Sequence, residues 1–129
     1  MDEPRFLTLD EVLYLHDETL RRFGGSDGIG NLGLFESAMG SAQNAFRSGS
    51  GELFEISAAY AFHMAESQAF VDGNKRTGAA AEIMLLRQNG VRFPKEGGPV
   101  YAALINVANK KLNKAGLAAV LRRLVETNG

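Results

Sequence analysis

A chain of 129 residues that is 45 % hydrophobic and carries a formal net charge of −1 can bury a core and has no global field to draw it to nucleic acid or an acidic membrane. Without cysteine it can build neither a disulfide scaffold nor a thiolate zinc site. The acidic start Met1-Asp2-Glu3-Pro4 is unlike a signal peptide, and no apolar run approaches the roughly 20 residues that cross a bilayer, so a cytoplasmic protein forming one domain over residues 1–129 is expected.

Thr8-Leu9-Asp10-Glu11 reads as a capping box, in which the Thr hydroxyl and the Glu side chain satisfy each other's orphan amides. Leu9, Leu13, His16, Leu20 and Phe23 then recur at helical spacing, and Gly24-Gly25 supplies a stop. Ser26 to Gly30 reads as a loop, after which Asn31 can cap a helix carrying Leu34, Phe35, Ala38, Met39, Ala42 and Phe46. Arg47 to Gly51 reads as a flexible connection. A third helix is expected over Glu52 to Ser67, with Leu53, Ile56, Tyr60, His63 and Met64 on one side. The next, Lys75 to Asn89, carries Ala79-Ala80-Ala81 and Ile83 to Leu86; its small residues mark it as central. Gly90 ends it, Val91 to Phe93 is briefly extended, and Lys95 to Gly98 reads as a loop. Helices near Pro99 to Leu112 and Asn113 to Val125 complete the pattern. Alternating β-branched runs are too few for a sheet, and the fold class is all-α, a compact bundle of about six helices around a central Ala-rich helix.

One segment departs from this pattern. Phe70-Val71-Asp72-Gly73-Asn74-Lys75-Arg76-Thr77 puts a carboxylate, a glycine, an amide, two cations and a hydroxyl between two apolar helices. Glycine permits a tight turn and close approach of a ligand, and the unpaired amides that open the following helix favour an anion. Arg76 can grip a phosphate with paired hydrogen bonds, and Asp72 can hold Mg²⁺ between phosphates. This makes a polyphosphate site. The Walker pattern Gly-x-x-x-x-Gly-Lys-Ser/Thr is absent. The competing reading is a plain capped turn, with Asp72 or Asn74 as the cap and Lys75 and Arg76 solvated.

Gln68-Ala69-Phe70-Val71-Asp72-Gly73-Asn74-Lys75-Arg76-Thr77 resembles the signature of the Fic/Doc family, which in its Doc branch runs His-x-Phe-x-Asp/Asn-Gly/Ala-Asn-Lys-Arg. Lys75 matches that branch, since the Fic branch usually has glycine there. Leu13 to Asp17, Gly24-Gly25, Asn31 to Ala38, Tyr60 to His63 and Leu86 to Val91 are similar to the same family, so the likeness spans nearly the whole chain. It implies the helical Fido fold and a death-on-curing toxin of a toxin–antitoxin pair, using ATP and Mg²⁺. The Doc branch phosphorylates a threonine of elongation factor Tu, whereas Fic relatives transfer AMP to a target hydroxyl (AMPylation). By the motif match, Gly73, Asn74, Lys75, Arg76 and Thr77 would bind nucleotide phosphate, and Lys75 would set how the nucleotide lies. Asp72 would hold the metal, Phe70 would anchor the loop, and a flap for the target peptide would fall near Phe46 to Glu52. The implied partners are an antitoxin and the target protein.

The family's histidine is the general base that takes a proton from the attacking hydroxyl, and here that position is Gln68, followed by Ala69 where proline is common. A carboxamide can orient a hydroxyl but cannot accept its proton. Losing general-base help removes ~10²–10⁴-fold in rate. His63 and His16 lie on apolar stripes and read as structural, and Glu55 and Glu66 as surface acids, so no replacement base is evident. The expectation is a Doc-like phosphoryl transferase impaired at Gln68. The alternatives are a Fido-fold nucleotide- or partner-binding module without catalysis, and a nucleotidyl transferase.

Overall fold

The computed structural model describes residues 3–49, 52–93 and 98–128. Six helices follow one another: α1 (Leu9–Phe23), α2 (Leu32–Ser48), α3 (Leu53–Ser67), α4 (Asn74–Gln88), α5 (Gly98–Ala108) and α6 (Lys114–Asn128). Among the described residues the only β-type pairing is an isolated antiparallel bridge between Ile29 and Phe70. The all-α expectation holds. So does the capping box, in which Glu11 N donates to Thr8 Oγ1 at 3.1 Å and Thr8 N to Glu11 Oε1 at 2.8 Å. Asn31 caps α2 by accepting from Leu34 N at 3.0 Å.

The alanine-rich pair α3 and α4 forms the centre. α3 packs against α2, α4, α5 and α6, while α4 packs against α1, α3 and α5. Gly78 explains how α3 and α4 come so close: a Cβ there would lie 3.2 Å from the backbone oxygen of Ala61. Two hydrophobic clusters flank the pair. One joins Ala61, Ile83, Leu104, Leu117 and Leu121 on the α5–α6 side. The other joins Val12, Phe35, Tyr60, Met64 and Phe70 on the α1–α2 side. Burying such side chains stabilises the fold by roughly 1.5–3 kcal/mol each before entropy is counted.

Several boundaries differ from those expected. The flexible stretch assigned from Arg47 begins later, because α2 continues through Ser48. Ser48 Oγ donates to Asn44 O at 2.9 Å and Gly49 N to Ala45 O at 3.0 Å, which completes the last turn. Ser50 and Gly51, and with them part of the expected flap, lie outside the described residues, as does most of the loop assigned to Lys95 to Gly98. Gly98 itself belongs to α5. That helix stops at Ala108 rather than Leu112, and Lys110 soon after takes the left-handed conformation at φ 63°. α6 runs on to Asn128, three residues beyond the expected end at Val125.

One buried group has no obvious place in this packing. Glu82, on α4, is fully buried and neither carboxyl oxygen has a hydrogen-bond partner among the described residues. Burial raises its pKa well above the ordinary 4.5, because an unpaired charge there would be desolvated.

Candidate active site

The chain between α3 and α4 is pinned from both sides before any ligand is considered. Gln68 ends α3 in the left-handed conformation at φ 51° and ψ 48°, with its side chain exposed. This region is strained for most L-residues. Ala69, fully buried, offers its carbonyl to both Gly30 N at 2.8 Å and Asn31 N at 3.0 Å, and Val71 N donates to Gly28 O at 3.0 Å. The segment is therefore laid as a short bridge against residues 28–31, at the entrance to α2.

Phe70 anchors it in the core. The residue is 2 % exposed, its ring stacks on His16 with centroids 3.8 Å apart, and it meets Phe35 at 5.1 Å. His16 is equally buried, and its Nε2 lies 2.8 Å from the Asp72 backbone oxygen. A carbonyl can only accept, so Nε2 carries the proton. The sequence reading gave His16 a structural role on the α1 stripe; the structure adds its partner, the carbonyl at the tip of the loop.

The Asp72 side chain is exposed and one of its oxygens accepts from Ser26 N at 3.1 Å. Gly25 makes this approach possible. It has φ +123°, and a Cβ there would lie 3.1 Å from Asp72 Oδ2 and 3.0 Å from Leu20 Cδ2. Gly73 follows as the cap residue of α4 at φ 78°, and no side chain caps that helix. The plain capped turn is thus not what forms, since neither Asp72 nor Asn74 serves as cap. The first backbone bond into the helix is Thr77 N to Gly73 O at 2.9 Å. The amides of Asn74, Lys75 and Arg76 precede it and have no acceptor within the helix.

The sequence-derived site residues divide by what the fold does with them. Asn74 turns its carboxamide back onto the loop: Phe70 N donates to Asn74 Oδ1 and Asn74 Nδ2 donates to Phe70 O, both at 2.9 Å. Its side chain fixes the loop, and its backbone amide and the second Nδ2 hydrogen remain as donors. Thr77 is buried, with its hydroxyl 3.4 Å from Thr19 Oγ1 and its amide bonded to Gly73, so it ties α4 to α1. Lys75 is half-buried. Arg76 has its guanidinium carbon 3.8 Å from the Phe23 centroid and 4.2 Å from that of Tyr101. No carboxylate among the described residues is paired with it. Both rings, and Ser26 and Thr19, escaped the sequence reading. Phe23 had been counted only as part of the α1 stripe.

Among the described residues, the two titratable side chains that most closely precede Gln68 in sequence, His63 and Glu66, are engaged with other partners. His63 faces another part of the molecule, where its Nε2 accepts from Lys114 Nζ at 3.1 Å. Burial, assisted by the Lys114 charge, holds its pKa below the ordinary 6.5. Glu66 pairs with Lys110. For a metal, the Asp72 carboxylate keeps an oxygen not used by Ser26. His16, Asp17 and Asp27 also bring one ligand atom each within 4.8 Å of one another, although the Nε2 of His16 is already given to Asp72. No helix among the described residues is long and apolar enough to cross a membrane.

The model of the Fic/DOC family matches residues 6–86, from ahead of α1 to the last turns of α4. The protein kinase doc of Escherichia phage P1 is similar along 123 residues, with 33 % identity over 93 % of this chain and 95 % of that protein. A family match that takes in the whole α3–α4 loop, joined to a relative similar over most of both chains, makes this chain a member of the Fic/DOC family.

Proposed function

We propose that the protein is a Doc-like toxin of a toxin–antitoxin pair that transfers phosphate from ATP to a hydroxyl of a protein target, with elongation factor Tu as the target by family resemblance, and that Gln68 keeps this activity low. The observation that carries the reading is the start of α4: a left-handed Gly73 in place of a capping side chain, three amides ahead of the helical ladder, and, three residues on, Arg76, with which no carboxylate among the described residues is paired. Such a helix start favours an anion through both its donors and its dipole.

In this reading Gly73 lets the phosphates approach the backbone, and the amides of Asn74 to Arg76 with the Arg76 guanidinium hold their oxygens. Lys75 orients the nucleotide. Asp72 is the residue to hold Mg²⁺, which supplies charge neutralisation to the phosphates when bound. The target hydroxyl oxygen bonds to the γ-phosphorus as the bond from that phosphorus to the β-phosphate oxygen breaks, and the hydroxyl proton must leave. Gln68 can orient that hydroxyl through its carbonyl oxygen but cannot take the proton. The chemistry then lacks ~10²–10⁴-fold of general-base help while binding is kept.

A seat for the antitoxin is offered by the groove between α2 and α6, floored by α3, with a volume of about 710 Å³. Ser37, Ser41 and Asn44 form one wall and Lys114, Ala118 and Arg122 the other. The small side chains of the α2 wall, Ser37 and Ser41, suit close approach of a helix.

The second reading, a nucleotide- or partner-binding module without catalysis, rests on the same Gln68 carboxamide. Incubation with ATP labelled at the α or the γ position and a cell lysate, for the protein and its Gln68→His form, separates the possibilities. Transfer of γ-label supports the kinase and α-label alone supports nucleotidyl transfer. Binding without transfer in either form supports the module.

A further inference from the structure

Arg76 is flanked by two aromatic rings that reach it from different parts of the fold, Phe23 at the end of α1 and Tyr101 on α5. Aromatic rings attract a cation to their faces. A guanidinium whose carbon lies this close over two rings is restrained by both, and it carries five N–H donors. Those donors have no acceptor among the described residues. Arg76 also borders a cavity of about 320 Å³, together with Thr19, Arg22, Phe23 and Tyr101. Phe23 itself is 54 % exposed, so core packing does not account for where its ring lies. The two residues after Phe23 lead into the Gly25–Ser26 contact with Asp72, which puts the ring beside the same loop.

We propose that Phe23 and Tyr101 are positioning residues: by cation–π contact they restrain the Arg76 guanidinium and so hold its N–H donors ready for a phosphate oxygen. The inference rests on the nucleotide reading of the α4 start and names what orients the arginine of that site. A free arginine side chain must give up rotamer freedom on binding, and a restrained one has already done so. In this role the rings act through Arg76, which they contact at 3.8 and 4.2 Å.

The experiment is a titration of MgATP by calorimetry for the wild type, Phe23→Leu, Tyr101→Leu, Tyr101→Phe, and each leucine variant combined with Arg76→Ala. The Arg76 Nε–H relaxation is followed by NMR in the ligand-free proteins. Each leucine variant is expected to weaken binding about three- to tenfold, in the range of a cation–π contact. Tyr101→Phe keeps the ring and should stay within about twofold of wild type. Neither leucine change should weaken binding further once Arg76 is alanine. The Nε–H should be ordered in the wild type and in Tyr101→Phe, and mobile in Tyr101→Leu. Wild-type affinity in both leucine variants, or an equal loss in the Arg76→Ala background, overturns the clamp while leaving the nucleotide reading standing. A wild-type protein that binds no MgATP overturns the nucleotide reading, and the clamp with it.

Discussion

His16 Nε2 donates to the backbone oxygen of Asp72 across 2.8 Å, while the ring of the same histidine stacks on Phe70. One side chain of α1 thereby sets both the depth and the tilt of the loop that opens α4. Replacing His16 with alanine should leave a buried ring-sized gap and an unpaired carbonyl. The expected destabilisation is about 2–4 kcal/mol, read from urea unfolding. Nucleotide binding should fall in the same variant, because the Asp72–Gly73 turn loses its brace.

At position 68, histidine is expected to restore transfer by at least ~10²-fold. The backbone there is left-handed, and histidine is among the non-glycine residues that tolerate this conformation best. The gain should appear in the labelled-ATP assay and as toxicity on expression without a partner. Arg76→Ala added to Gln68→His should abolish it. If the histidine form stays silent while still binding nucleotide, the missing base is not the cause of low activity.

Arg76→Ala alone should weaken MgATP binding by about 1.5–3 kcal/mol, the worth of a charge-assisted hydrogen bond, measured by calorimetry. Asn74→Ala should act differently. It removes the two bonds to the Phe70 backbone, so thermal stability should drop together with affinity.

Glu82 makes stability depend on pH in an unusual direction for an acid. Its folded pKa lies well above 4.5, so the folded protein keeps a proton that the unfolded chain releases. The contribution is complete below about pH 4.5 and is lost as pH rises toward the folded value, at up to about 1.4 kcal/mol per unit. Glu82→Gln should flatten the fall in unfolding free energy as pH rises above about 4.5. An unchanged slope in denaturant titrations would show that Glu82 is not the group responsible.

Co-expression with the product of an adjacent gene should yield a stable complex whose melting temperature exceeds that of the free protein, by mass action. Widening the side chain at Ser41, on the groove wall, to tryptophan should weaken that complex and spare MgATP binding.

Much of this architecture can be read from local signals. Thr8 and Glu11 announce α1 because a capping box is complete within four residues, and Asn31 announces α2 in the same way. The loop from Phe70 to Arg76 stands out because its residue types break the helical period. What stayed hidden depends on partners far along the chain. Thr77 follows Arg76 in the motif, and nothing local shows that its hydroxyl meets Thr19, 58 residues away. Tyr101 gave no sign of its role, since nothing in the α5 segment points to Arg76. The end of α2 was misjudged because glycine and serine suggest flexibility, whereas Ser48 uses its hydroxyl to close the final turn.

The stretch from Phe23 to Ser26 touches both ends of the loop, Arg76 through the Phe23 ring and Asp72 through Gly25 and the Ser26 amide. Any cation drawn to Asp72 and any anion drawn to Arg76 therefore pull on one short piece of backbone. Thermodynamic linkage then requires that each alter the affinity for the other by the same factor. Substitutions confined to these four residues would change that factor without removing a single group that contacts either ion, so the joint affinity can be tuned from outside the site.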